Sequence, residues 1–429
     1  MGTSSVWRNR DFVRLWAAST VSVFGSLITR TALPFAAILV LGAGPLEIAA
    51  IRSFEIVGGL VVSLAAGAWV DRLRRRPVMI VADLGRALLL ASIPAAALVA
   101  SLSIAQLIVV GFLTAILTTF HNVADSAYLP TVVERDQLVA SNAALTASGS
   151  VAEFSAFSIG GFLVQLLTAP IAIAVDAVSF LASALFIGSI RRPEPDRPGV
   201  LERRPILAEI LEGLRPISRS PILTAIAGAS SGSHFLWGVF GSVYLVFATE
   251  ELGLGPATIG VIAAVGGACS FVGAVLAERV SRRVGIGPAI LLGVVGFTLG
   301  NALTPLAPAG AIAIAVALLV AQQLIADGAG TIGEINEISL VQTVAPDRVL
   351  GRVNGSIEFL THLWLLVGTI AGGLIGEALG LRAAMVVGLL GGVAAIVFLW
   401  LSPIRSLRAE ASAPPPHPLM PGDDTPLTE

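Results

Sequence analysis

A chain of 429 residues that is 55% hydrophobic and only 13% charged, with a mean hydropathy of +0.88, is too apolar for a soluble domain and reads as a polytopic membrane protein. The net charge of −2 points to no nucleic-acid partner, and all 26 basic residues are Arg. The absence of Lys removes a phosphate loop ending in Gly-Lys-Ser/Thr and any Schiff-base lysine, which argues against direct ATP-driven transport. A single cysteine, Cys269, lies in an apolar run, so internal disulfides and cysteine metal clusters are excluded. The histidines have no ligand-like spacing, and neither a metal nor a cofactor is expected.

A membrane span needs about 20 mostly apolar residues. Twelve segments qualify, at roughly 15–41, 46–70, 77–99, 104–128, 138–167, 169–190, 221–249, 256–277, 286–307, 310–333, 350–379 and 381–402. The first follows Arg8, Arg10 and Arg14, is longer than a signal-peptide core and lacks a clear cleavage site, so it reads as a retained span. The expected divisions are a cytoplasmic N-terminus (1–14), a six-helix bundle (15–190), a linker (191–220), a second six-helix bundle (221–402) and a disordered cytoplasmic tail (403–429). The linker begins with a Pro-rich run, and Ile206–Leu214 within it has the pattern of a short amphipathic helix on the membrane surface.

Arginine placement fixes an orientation. With both termini cytoplasmic, 22 of the 26 arginines fall in inner loops or termini, Arg382 beside Glu377 is essentially alone outside, and Arg30, Arg52 and Arg86 lie within spans. This is the positive-inside pattern of a plasma-membrane protein.

The halves repeat. Leu41–Pro45 (LGAGP) recurs as Leu252–Pro256 (LGLGP), and an offset of 212 aligns Thr131 with Thr343, Asn142 with Asn354, and Gly160-Gly161 with Gly372-Gly373. The fold class is therefore an all-α polytopic membrane protein, with twelve transmembrane helices in two pseudo-symmetric six-helix bundles. Such parallel halves place a substrate site between them near the midplane.

Between spans two and three stands Gly67-Ala-Trp-Val-Asp71-Arg72-Leu-Arg74-Arg75-Arg76, with a degenerate copy at Ala274-Val-Leu-Ala-Glu278-Arg279-Val-Ser-Arg282-Arg283. The stretch resembles the Gly-x-x-x-Asp-Arg-x-Gly-Arg-Arg signature of the major facilitator superfamily, with Arg74 in place of the second Gly. Asp125–Ala143 and Ser339–Gly355 are similar to the drug:proton antiporter, macrolide-efflux-like branch. Span five departs from the antiporter pattern Gly-x-x-x-Gly-Pro-x-x-Gly-Gly. It reads Ala152-x-x-x-Ala156-Phe157-x-x-Gly160-Gly161, which keeps the small residues and loses the Pro kink.

The resemblance implies a cytoplasmic gate. When the inner gate is shut, Asp71, preceded by Gly67 and followed by Arg72, would face the start of span eleven and Arg75 would reach Asp125, a latch that stabilises the outward-facing state. Glu278, Arg279, Arg282 and Glu337 would form the second-half copy. The alternative is that these charges only set topology and stay solvated. Charges deeper in the bilayer are costly and therefore candidates for function. Glu153, opposed by Arg30, is the first choice for proton coupling, followed by Glu358 with His362 four residues on, and then Asp327. The alternative for each is a static ion pair between helices. Arg52 and Glu55 read as a structural pair or outer gate, and Asp83 with Arg86 as structural. Arg30, Phe120, His234, Trp237, Tyr244 and His362 are candidate cavity residues, with His121 beside them as a further stacking candidate; ordinary packing is the competing reading for the aromatic ones.

The expected function is export of a hydrophobic or amphipathic small molecule by proton antiport, in a monomer whose partners are that substrate, protons and the lipid bilayer. Uptake or facilitated diffusion on the same fold stays open because of the missing Pro. An intramembrane enzyme built on Ser230 or Ser231 with His234, or a non-transporting receptor, is the remote alternative, because neither a partner acid nor a catalytic elbow accompanies that pair.

Overall fold

The computed structural model describes residues 6–70, 73–192, 194, 214–346 and 349–407, with only the backbone at 64–68 and 154. Asp71 and Arg72 of the signature, the amphipathic segment up to residue 213, and the tail from residue 408 lie outside the described residues. Twelve long helices form within them. They are α1 (Arg10–Leu41), α2 (Pro45–Val70), α3 (Arg75–Leu98), α4 (Ile104–Val132), α5 (Leu138–Leu167), α6 (Ala169–Ser189), α7 (Pro221–Val246), α8 (Pro256–Val284), α9 (Ile286–Asn301), α10 (Ile312–Val344), α11 (Leu350–Leu379) and α12 (Leu381–Leu401).

Among the described residues, nine of these helices are long and apolar enough to cross a membrane by length and composition alone, and α5 makes a tenth when its two segments are taken together. Of the remaining two, α2 gathers the three charges Glu47, Arg52 and Glu55 near its start, and α7 carries a run of polar residues, Ser230, Ser231, Ser233, His234 and Ser242. The protein is thus an all-α, multi-pass membrane protein.

Local chemistry explains the helix ends. Asn9 caps α1, accepting from the backbone N–H of Asp11 at 3.1 Å and Phe12 at 3.2 Å, with Asp11 placed in the first turn. Ser103 and Ser220 cap α4 and α7 in the same way. The two LGxGP segments perform one task twice. Gly42 and Gly253 both take φ +66°, a left-handed conformation that ends the preceding helical run. Pro45 and Pro256 then start α2 and α8.

The helices pack in one scheme repeated. In the first half α1 packs on α5 and α6, α4 on α2 and α3, and α3 on α6. In the second, α7 packs on α11 and α12, α10 on α8 and α9, and α9 on α12. The halves meet chiefly through α2 with α11 and α5 with α8, again a pair related by the repeat.

One end of the molecule carries the arginine clusters, and they do more than sit in solvent. Arg192 donates to the Val132 carbonyl at the end of α4 at 2.9 Å. Arg76 donates to the carbonyls of Ile187 and Gly188 at the end of α6. The Asp11 carboxylate accepts from the backbone N–H groups of Arg191 and Arg192, each at 3.2 Å, and pairs with Arg14 at 2.8 Å. Arginine at helix C-termini satisfies terminal carbonyls and complements the helix dipole. At the opposite end Arg382 pairs with Glu251 at 3.1 Å, not with the nearby Glu377, and donates to the carbonyls of Pro305 and Ala307.

Candidate transport pathway

A cavity of about 1000 Å³ lies between the halves, walled by α1, α2, α4 and α6 on one side and α11 on the other. Its wall reaches Gly351 and Arg352 in the first turn of α11, at the arginine-rich end. At the opposite end two contacts between the halves close it. The second glycine of each Gly-Gly pair faces the start of a helix in the other half. A Cβ added to Gly161 would lie 3.1 Å from the Gly260 Cα, and one added to Gly373 would lie 3.1 Å from the Pro45 carbonyl oxygen. Only glycine permits so close an approach of backbones. The Ser158 hydroxyl adds a hydrogen bond to the Gly260 carbonyl at 3.0 Å.

The cavity wall is charged in both signs, with Arg30, Arg52, Glu55, Asp176, Arg352 and Glu358 together with His362. Arg30 and Glu153 do meet, Nη2 to Oε1 at 3.3 Å, as a pair with side chains 51% and 61% exposed. Glu358 and His362 both face the cavity, but the imidazole Nδ1 contacts the Glu358 backbone carbonyl at 2.9 Å rather than its carboxylate. Arg52 and Glu55 form the expected pair, 3.8 Å apart, and both line the cavity. Phe120 is absent from this wall, and its ring lies against Trp69 at 6.0 Å.

A second cavity, of about 330 Å³, opens between α7, α9 and α10. It collects His234, Trp237 and Asp327, together with Glu334 and Glu337. Tyr244 instead packs against the apolar core.

The latch is implied for a shut inner gate, and its Asp71 and Arg72 lie outside the described residues. Arg75 and Asp125 form no ion pair among the described residues. The Arg75 backbone N–H, at the start of α3, donates to Glu194 at 2.8 Å, and the Asp125 carboxylate accepts from Ser19 of α1 at 3.3 Å. Glu278 and Arg282 pair at 3.5 Å on an exposed face, while Glu337 is turned inward to accept from Ser230 of α7. Arg279 is exposed. Asp125 and Glu337 thus occupy matching places, each tying the fourth helix of its half to the first.

Sequence reasoning found Asp83 with Arg86 as a structural pair but missed the cluster built around it. Asp83 and Arg86 of α3 form a fully buried ion pair, and His121 Nδ1 of α4 lies 3.1 Å from the same Asp83 oxygen. The Arg86 guanidinium stacks 4.0 Å over the Phe180 ring. Asp176 of α6, also buried, accepts from Ser179 at 2.8 Å and reaches the cavity wall. The signal available was the i,i+3 spacing of Asp83 and Arg86 and the i,i+4 spacing of His121 and Asp125. Asp176 had only the Ser179 hydroxyl near it in sequence, and no charged partner.

The sequence profile described as Major Facilitator Superfamily matches residues 15–369 and 230–425. The chain belongs to this superfamily. It is a multi-pass membrane transporter, not an enzyme. Among its curated superfamily relatives, the multidrug efflux pump Tap of Mycolicibacterium fortuitum is 30% identical over 337 residues, covering 76% of this chain and 79% of Tap. The MFS-type transporter YfiS of Bacillus subtilis (strain 168) is 24% identical over 397 residues, covering 89% of this chain and 91% of YfiS. Superfamily folds already solved superpose well. A bacterial homologue of the iron transporter ferroportin, in an inward-facing state, gives a TM-score of 0.73 at 18% identity, covering 92% of this chain and 99% of that one. The nucleoside transporter NupG gives 0.70 at 14% identity, covering 91% of this chain and 97% of that one.

Proposed function

We propose that this chain is a secondary active exporter of a hydrophobic or amphipathic small molecule, driven by protons moving the opposite way and working by alternating access. The observation that carries this reading is the cavity between the halves, which reaches the arginine-rich end and is closed at the other by two pseudo-symmetric glycine contacts. The positive-inside rule assigns the arginine-rich end, and with it both termini, to the cytoplasm of a bacterial cell. The structure then corresponds to the inward-facing state of the cycle. The name of Tap supports both the direction and the substrate class.

Rocking the halves about the midplane would break the glycine contacts and close the cytoplasmic end. There the signature acids would act as a latch, Asp71 and Asp125 in one half and Glu278 and Glu337 in the other. The separation of Arg75 from Asp125 fits a gate that stands open. Glu153, held by Arg30 in hydrated surroundings, is a coupling carboxylate whose protonation frees Arg30. Glu358 on the cavity wall and Asp327 in the second pocket are further candidates.

The test is uptake of amphipathic dyes, ethidium first, into inverted membrane vesicles with an imposed pH gradient. Wild type should accumulate dye only with the gradient, and Glu153→Gln should lose that dependence. Uptake that ignores the gradient in wild type would remove proton antiport; dye movement only in the reverse direction would point to import.

A further inference from the structure

The buried cluster of the first half is unexplained by the pathway above. Four helices bring it together: Asp83 and Arg86 from α3, His121 and Asp125 from α4, Asp176 from α6, and Ser19 from α1. Arg86 is within electrostatic reach of all three aspartates, and Asp125 of His121, Asp83 and Arg86. The neighbouring polar groups are Thr118, which accepts from Arg86 at 3.4 Å, Ser179, which donates to Asp176, and the hydroxyls of Thr29 of α1 beside Asp176 and Ser183 of α6 beside Asp83.

A charge count follows. Three carboxylates face one guanidinium and one imidazole. With every carboxylate ionised and the imidazole neutral, the cluster would carry two uncompensated negative charges in a low-dielectric interior, a costly state. It becomes neutral when it holds two protons, either on two carboxylates or on one carboxylate and His121. Unpaired atoms support the count. One Asp125 oxygen is buried without a hydrogen-bond partner, as is the Arg86 Nε, whereas the hydroxyls of Ser183 and Thr29 stand within hydrogen-bond reach of Asp83 and Asp176. A buried carboxylate oxygen left without a donor is either hydrated or protonated.

The cluster also has a door and a back wall. Asp176 and Thr118 line the main cavity, while Asp83 and Arg86 are sealed from it. Asp125 lies seven residues from the end of α4, about 10 Å along the helix from the arginine-rich end.

We propose that Asp83, Arg86, His121, Asp125 and Asp176 form the proton store of this transporter, with Asp176 as the member that exchanges with the cavity. In the state seen here the store holds two protons. Release transfers a proton from the Asp176 carboxyl O–H to cavity water and leaves Asp176 as a carboxylate. The inference rests on the antiport reading for its purpose, but its protonation claim stands apart.

The experiment has two arms on the full-length protein. In the first, infrared spectroscopy of purified protein follows the carbonyl band of protonated carboxyl groups against pH. Wild type should show buried protonated carboxyl signal, and Asp176→Asn should lose part of it. An unchanged band overturns the proposal, whatever drives transport. In the second arm, proteoliposomes report ethidium movement. Asp176→Asn should lose gradient-driven transport, and Asp176→Glu should regain the drive. Gradient-driven transport that survives in Asp176→Asn overturns the coupling role. Wild-type transport that is indifferent to the gradient defeats antiport itself and leaves the infrared result to decide the store.

Discussion

The two halves share one helix-packing scheme and differ in what fills it. At positions 212 residues on, Asp83 becomes Val295, Arg86 becomes Thr298, His121 becomes Gly333 and Asp176 becomes Gly388, while Asp125 keeps an acid in Glu337. The second half packs glycine closely against its neighbours where the first packs charge against charge. A Cβ on Gly333 would lie 3.1 Å from the Gly293 Cα, and one on Gly388 would lie 3.0 Å from the Val239 Cβ. The fold therefore closes without a charged interior. The first half bears the desolvation cost of five ionisable groups that the scaffold does not require, and that points to a task in transport.

The sharpest way to break the comparison is to remove the cation. Arg86→Met leaves three carboxylates without their guanidinium and should lower stability by about 3–5 kcal/mol. Its counterpart Thr298→Val should cost about 1 kcal/mol or less. Thermal unfolding in detergent measures both, and equal losses would mean that the charges are incidental. The seals come next. Gly161→Leu and Gly373→Leu each overpack one of two related contacts and should each disfavour the sealed state by about 1–3 kcal/mol. Label reactivity at that end reads this out, and an effect confined to one of the two would contradict the symmetry. Glu153→Gln removes an exposed pair and should change stability by less than about 1 kcal/mol while abolishing gradient dependence. A large stability loss would instead make Glu153 structural. The smallest effect belongs to Glu278→Gln, at about 0.3–0.5 kcal/mol for an exposed i,i+4 pair.

The sequence already contained the helices, because they follow from local pattern. Apolar runs ended by Gly and Pro mark α1 to α2 and α7 to α8, and the repeat of LGxGP with the Gly-Gly pairs showed the two halves, but not that the second glycine of each pair meets a helix start in the other half. The Arg30–Glu153 pair was legible too, as two lone charges of opposite sign at similar depth. The rotation of each helix about its axis was not legible. It decides that Arg52 and Glu55 face the cavity, that Phe120 turns to Trp69, and that Asp125 meets Ser19 rather than Arg75. Asp176 was hidden for the same reason, since its neighbours come from α3 and α1 and nothing adjacent in sequence announces them.

The measurement closest to the central claim is a pair of spin-label distances on one protein in liposomes. One pair joins Val40 to Leu379 at the sealed end, and the other joins Val139 to Val284 at the arginine-rich end; all four positions are exposed. On imposing the pH gradient with ethidium present, the account predicts that the first distance lengthens while the second shortens. Two distances that stay fixed, or that move in the same direction, would contradict it.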